Sequence, residues 1–332
     1  MTNSSNLTHR QLIEKCLNNE TLPRTPVALW QHFPVDDQSA YTLYAATVNF
    51  QNRFDFDVIK VSPSSSFCLK GWGSDDQWSG NPEGSRNYTQ FPIVAPEDWR
   101  KLTPLSPKSG QLGNQLVCLD KLVKTFGFDT PIIQTIFSPL SQAKNLIGRD
   151  KLIAQLRQHP DAVHTALKVI TQTTVDFIQE AAKTGIDGIF YAVQQAQYGL
   201  LTEDEFKSFG IPYDLLVLEA VQDLWFNMLH LHGDNVMFDV VSSYPIQAIN
   251  WHDRQTQPSL AEAKKKFKGI VCGGLRQWDT MAYATPEDVR QEATDAIQST
   301  GGTRFILGTG CVMPVIAPYG NIMAAINTAR PA

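Results

Sequence analysis

TPEDVRQEATDAIQSTGGTRFILGTG, Thr285 to Gly310, is a helix and a strand with both boundaries marked. Thr285 is a helix-capping residue, and Pro286 takes the first helical position, where a missing N–H costs nothing. Gly301 and Gly302 stop the helix, and Arg304 to Gly310 follows as a short apolar strand.

The same pairing recurs upstream. Strand-like runs occupy Arg24 to Gln31, Asp57 to Ser62, Pro131 to Ser138, Asp187 to Val193, Phe226 to His232, Ala248 to His252 and Gly269 to Gly274. Between them lie helical stretches such as His159 to Gly185, which ends on a glycine, and Thr202 to Trp225, which opens with a capping box at Thr202 and Glu205. Ahead of them, Thr8 caps an N-terminal helix carrying Leu12, Ile13, Cys16 and Leu17 at helical spacing. Eight strands alternating with helices over roughly 300 residues predict an α/β fold, a (β/α)8 TIM barrel. A doubly wound open sheet is the competing arrangement. Residues 1–332 are read as one barrel domain.

One segment exceeds a minimal barrel. Residues 63–110, directly after the second strand, are rich in Gly, Ser, Pro and Trp. Loops of this length are functional covers or disordered. The tryptophans and Tyr88 argue for order, so the segment is expected to be a lid-like insertion over the barrel mouth.

Composition narrows the function classes. The chain has 332 residues, 42% hydrophobic and 18% charged, with a net charge of -5 and no basic block. That balance offers no footprint for nucleic acid or an anionic membrane. The basic run Ala263 to Gly269 reads as a helix end. No apolar run approaches the ~20 residues of a membrane span, and the polar start MTNSSNLTHR lacks a signal-peptide core, so a cytoplasmic location is expected. Five scattered cysteines without a CxxC suit a reducing compartment. A second apolar face on an outer helix would support a homodimer.

In barrels of this class the chemistry gathers at the C-terminal strand ends. The stretch LHLHGDN, Leu229 to Asn235, sends His230 and His232 to one face of a strand, because side chains two apart point the same way. With Cys311 after the last strand they form a possible zinc set of two imidazoles and one thiolate. Two hydrogen-bonded pocket histidines without metal are the other reading. The Gly-Thr-Gly ahead of Cys311 suggests a sharp turn. NWHDR offers His252 and Asp253 as an acid/base pair, or a strand end followed by a charged turn. Gln31, His32, Ser62, Gln194, Arg254, Arg276 and Thr309 stand at strand ends as candidate contacts for a small-molecule substrate. Arg276 would grip a carboxylate or sit in a surface ion pair. GTGC lacks a Walker lysine, and no GxSxG occurs, so nucleotide-loop and serine-hydrolase chemistry are excluded.

Together, RTPVALWQ, FDFDVIKVSPSS, IFSPL, LHLHGDN and RFILGTGCVMPVIAPYGNIMAAI resemble the uroporphyrinogen decarboxylase family, in the same order and over nearly the whole chain. That family is a (β/α)8 barrel and includes zinc-dependent methyltransferases that move a methyl group from a corrinoid to a thiol such as coenzyme M. The decarboxylases carry arginines where this chain has Gln31 and Val35, an aspartate where it has Pro63, and a histidine where it has Thr309. A polycarboxylate substrate needs those charges, so the resemblance implies a member other than the namesake enzyme. The methyltransferase ligands, a His-x-Cys pair and a later Cys, fall on His230, on His232 in place of the first cysteine, and on Cys311. The resemblance therefore implies a zinc-dependent methyl- or alkyltransferase using methylcobalamin or another corrinoid, with a corrinoid protein as partner. The alternatives are a decarboxylase of uroporphyrinogen or a related acid, and a corrinoid or tetrapyrrole carrier.

Overall fold

Strand β1 (Ile59–Val61) is followed by an antiparallel hairpin, β2 (Asp75–Gln77) and β3 (Asn87–Gln90). Then come β4 (Ile132–Phe137), β5 (Gly188–Val193), β6 (Met228–Leu231), β7 (Ala248–Trp251), β8 (Ile270–Leu275) and β9 (Phe305–Thr309). Apart from the hairpin, these pair in parallel in chain order, as a seven-stranded sheet with helices between its strands. The computed structural model describes residues 7–330, so the polar opening Met1 to Asn6 and the last two positions of the 1–332 reading lie outside the described residues.

The fold is the expected barrel, with one stave less regular than predicted. In the run Arg24 to Gln31, Ala28 N–H donates to Leu307 O and Leu307 N–H to Pro26 O on the β9 side, while Asp57 N–H donates to Val27 O on the β1 side. These bonds close the ring between the last and first strands. Val27 bridges Leu307 and Gln31 bridges Met313, so this stave is made of isolated bridges instead of a continuous ladder. Strands β4, β5, β8 and β9 are buried along their whole length, as parallel strands covered by helices must be.

The helix marks behave as local chemistry requires. Thr8, Thr202 and Thr285 each form a capping box, and Gly301 takes the left-handed conformation after helix Pro286–Thr300. The predicted helix from Thr202 to Trp225 is two, Glu203–Phe209 and Ile211–Glu219, because Pro212 cannot continue the first. No helix among the described residues is long and apolar enough to cross a membrane.

Two buried carboxylates brace the N-terminal end of the barrel, away from the site. Asp57 accepts from Arg24 Nη2 at 2.6 Å, from Val27 N–H at 2.7 Å and from His9 Nδ1 at 2.7 Å, and Arg330 adds a contact at 3.3 Å. Asp187 accepts from Arg10, from Trp225 Nε1 at 2.8 Å and from Ile132 N–H at 2.8 Å. Together they tie both chain ends to the strand starts.

Residues 63–110 are pinned by their aromatic residues. Trp99 is fully buried, Trp72 Nε1 donates to Thr103 O at 2.8 Å, and Tyr88 meets Ser65 Oγ at 2.9 Å. Val315 N–H donates to Pro82 O, and Arg86 reaches both Asp76, at 3.0 Å, and Asp37. At the tip, Gly84 has φ +83°, and a Cβ there would stand 2.6 Å from His32 Cβ. The segment therefore packs directly on the barrel rim.

Candidate metal centre

Register places the histidines. Strands β6 and β7 pair His230 with Asn250, and β7 pairs Asn250 with Cys272 on β8, so the three side chains stand side by side on one face of the sheet. Asn250 donates both amide hydrogens to carbonyls, Cys272 O at 2.9 Å and Thr309 O at 3.0 Å. Its Oδ1 is thereby turned to His230 Nδ1, 2.6 Å away. An amide oxygen only accepts, so His230 carries its proton on Nδ1 and Nε2 is left as a lone pair.

That lone pair faces a thiol. Cys311 Sγ lies 3.8 Å from His230 Nε2 and 3.6 Å from His232 Nδ1. His252, at the end of β7, completes the group: one donor atom each from His230, His232, His252 and Cys311 fall within 4.8 Å of one another. His252 Nδ1 is held at 2.9 Å by Gln255 Oε1, and the same argument puts its proton there. Its Nε2 is buried with no hydrogen-bond partner. A buried nitrogen lone pair without a donor is costly in a metal-free protein, and a cation beside it removes the cost.

The electrostatics of the group fit a metal. Burial, then the neighbouring imidazoles of His232 and His252, hold His230 well below the usual histidine range, so it is neutral, as a ligand must be. Burial pushes the Cys311 thiol up to about 12, so it is protonated unless a cation takes the proton's place. Imidazole nitrogens and a thiolate sulfur are donors that zinc accepts, and any three of these four would hold it with the fourth tetrahedral position left open to a substrate. The residues present fit the ion.

The chain bends at Gly310 and Cys311, as expected, although neither Gly308 nor Gly310 adopts a left-handed φ. Glycine serves the site by closeness as well: a Cβ on Gly310 would lie 2.8 Å from the His252 backbone, so its absence lets the segment leading to Cys311 run against His252.

A cavity of about 210 Å³ opens onto the cluster. His32 and Gln194 line it, as do His230, His232 and Cys311. The other sequence candidates sit elsewhere. Gln31 lines a separate cleft on the outer side of its stave. Ser62 is bonded to Lys60, and Thr309 to Cys311 O. Asp253 is buried beneath the strand end, where burial raises its carboxyl to about 7 while Gly274 N–H donates to it. Arg254 is engaged by Gly274 O and Asp295, and Arg276 by Glu292. These two arginines face neighbouring helix carboxylates, so neither points a free charge at the cavity.

Sequence reasoning passed over four groups that the structure brings to the wall: Lys60, Trp30, Glu83 and Arg86. Lys60 was legible. In DVIKVS it alternates with apolar residues on a strand, which places a lysine on the barrel's inner face beside Val58 and Ser62. Burial lowers its ammonium to about 8. Glu83 and Arg86 arrive from a loop without periodicity and carried no such signal.

Known proteins resemble the chain along its length. The family model for uroporphyrinogen decarboxylase (URO-D) matches residues 8–331. A methylcobamide:CoM methyltransferase, MtbA, from Methanosarcina acetivorans is 22% identical over 309 residues, covering 91% of this chain and 87% of the relative. A uroporphyrinogen decarboxylase from Chloroherpeton thalassium is 25% identical over 171 residues, covering 48% of this chain and 46% of the relative. Among solved structures, a methyltransferase from Methanosarcina mazei superimposes with a TM-score of 0.84 at 15% identity, over 97% of this chain and 98% of its own.

Proposed function

We propose that this chain, which belongs to the uroporphyrinogen decarboxylase family, is a zinc-dependent methyl- or alkyltransferase acting on a small thiol. The observation that carries the reading is the cluster of His230, His232, His252 and Cys311, in which His252 Nε2 is buried without a partner. Zinc held there would supply Lewis acidity, lowering the pKa of a thiol so that it reacts as thiolate near neutral pH. Support also comes from relatives whose name states transfer from methylcobamide to CoM.

The chain's own residues do the rest. Asn250 and Gln255 fix which nitrogen of His230 and His252 is free, and so set the direction of each lone pair. The 63–110 segment acts as the lid, excluding water with Pro63 to Ser65 and Glu83 to Arg86. A cavity of about 210 Å³ falls below the roughly 300–1,000 Å³ usual for drug-sized ligands, so the thiol is small. The same limit disfavours a polycarboxylated tetrapyrrole or a whole corrinoid inside, and a corrinoid donor would approach from the mouth on a partner protein. His252 and Asp253 are thereby reassigned in this reading, one to the ligand set and one to support.

The test is elemental analysis of purified protein beside His230→Ala, His252→Ala and Cys311→Ala. About one zinc per chain, lost in the variants, is the expected result. Metal-free wild-type protein, together with carbon dioxide release from uroporphyrinogen, would overturn the reading in favour of a decarboxylase.

A further inference from the structure

A second cavity, of about 340 Å³, lies on the outer side of the stave at Arg24 to Gln31 and shares no lining residue with the one at the metal cluster. Alternation along the chain divides the two: Trp30 and His32 line the metal cavity, and Gln31 and Phe33 line the outer one. A stripe of helix Ala40–Phe54 forms another wall, with Ala46, Asn49, Phe50 and Arg53 at i, i+3, i+4 and i+7. Tyr319, the first residue of helix Tyr319–Ala329, adds a third.

The cleft is both aromatic and cationic. Phe33 meets Phe50 edge-on at 5.7 Å between ring centres, Phe50 meets Phe54 at 5.0 Å, and Phe54 meets Tyr319 at 5.7 Å. At the end of this row the Arg53 guanidinium stands 4.6 Å from the Tyr319 ring centre and 5.6 Å from that of Phe54. None of the residues lining the cleft is acidic, and Asp55, the carboxylate closest to Arg53 in sequence, is taken by His9 and Arg330. Among the described residues Arg53 has neither an ion pair nor a hydrogen bond, and the Gln31 amide has no side-chain partner. A place in the last helical turn suits the arginine's charge. It supplies no acceptor for the guanidinium N–H groups.

We propose that this outer cleft is a binding site for a small aromatic carboxylate, one or two fused rings bearing a single acid group. A guanidinium stacked on a ring keeps its N–H edge free, and that edge matches the two oxygens of a carboxylate. Phe33 and Phe50 are half-buried, so both offer ring surface to an edge-on or offset partner. An aliphatic acid would meet the arginine and leave the rings wet, whereas a neutral aromatic would cover the rings and leave the cation unmet. One molecule that carries both groups answers both demands. The volume stands at the low end of the roughly 300–1,000 Å³ usual for ligand cavities, which suits one or two rings and not a tetrapyrrole. Because the stave separates this cleft from the metal cluster, its ligand is distinct from the substrate of the metal.

The experiment titrates wild type, Arg53→Gln, Arg53→Lys and Tyr319→Ala with benzoate, indole-3-carboxylate, benzamide and acetate at low salt, by calorimetry and by saturation-transfer NMR of the ligand. Arg53 and Tyr319 are exposed, so the variants should keep the wild-type melting temperature. Wild type should bind the two aromatic acids at least about tenfold more tightly than benzamide or acetate, a preference that shrinks as salt rises. Arg53→Gln should bring benzoate down to the level of benzamide and leave benzamide itself unchanged. Arg53→Lys should recover only part of the difference, since the fork is gone. Tyr319→Ala should lose several-fold for the acids, because the guanidinium loses the ring that holds it. Chelator-treated protein should bind the acids as well as untreated protein does. Equal affinity of wild type for benzoate and benzamide, a preference surviving in Arg53→Gln, or binding that disappears with the metal overturns the assignment. So does the absence of binding of either acid at about 1 mM.

Discussion

Replacing Asn250 by leucine should weaken the metal site without touching a ligand. The side chain is fully buried and makes three hydrogen bonds, one from His230 Nδ1 and two to the carbonyls of Cys272 and Thr309. Leucine fills a similar volume and accepts or donates none of them. The imidazole N–H is then buried unmet, a penalty of about 1–3 kcal/mol, and the two carbonyls each lose a donor. Together these destabilise the fold by on the order of 3 kcal/mol. Freed from Oδ1, His230 no longer has its proton held on Nδ1, and zinc affinity should fall by roughly 10–100-fold. Urea melts read the first effect, and competition with a chromophoric chelator reads the second. Asn250→Asp is the control, since its carboxylate still accepts from Nδ1 and should keep more of the affinity. A folded Asn250→Leu protein holding zinc within about threefold of wild type would refute the claim that this amide sets the tautomer.

The rim and the base of the barrel supply two more expected outcomes. Gly84→Ala places a methyl group 2.6 Å from His32 Cβ at a φ of +83°, so it should cost about 1–3 kcal/mol and speed proteolytic cutting within residues 63–110, which limited digestion would detect. At the base, burial lowers the pKa of His9, but its hydrogen bonds to Asp55 and Asp57 outweigh this and raise it from 6.5 to about 9. A raised folded pKa means stability that is complete below about 6.5 and is lost as pH climbs through 9, amounting to on the order of 3 kcal/mol. Melting temperature should fall across that window in wild type and less so in His9→Gln, and parallel curves would show that the pair contributes nothing.

The elements that sequence resolved are those whose information is local. Caps at Thr8, Thr202 and Thr285 need only four consecutive residues to satisfy one another, and they form as written. The split helix after Thr202 departs because Pro212 acts on hydrogen bonds that a hydrophobic pattern does not record. At the site, His230, His232 and Cys311 stood out as residue types at strand ends, and the structure brings them together with His252. Arg254 and Arg276 also stood at strand ends, with an ion pair kept open for Arg276, and helix carboxylates at Glu292 and Asp295 claim them; nothing in the strand that carries an arginine shows its partner.

Charge links the cluster to the rest of the cavity. A thiolate from Cys311 and three neutral imidazoles leave a bound divalent cation with one positive charge uncompensated, where a second thiolate would have left none. A substrate thiol that loses its proton on that cation would remove the remaining charge, and the low dielectric of a lidded cavity makes that relief larger than it would be in water.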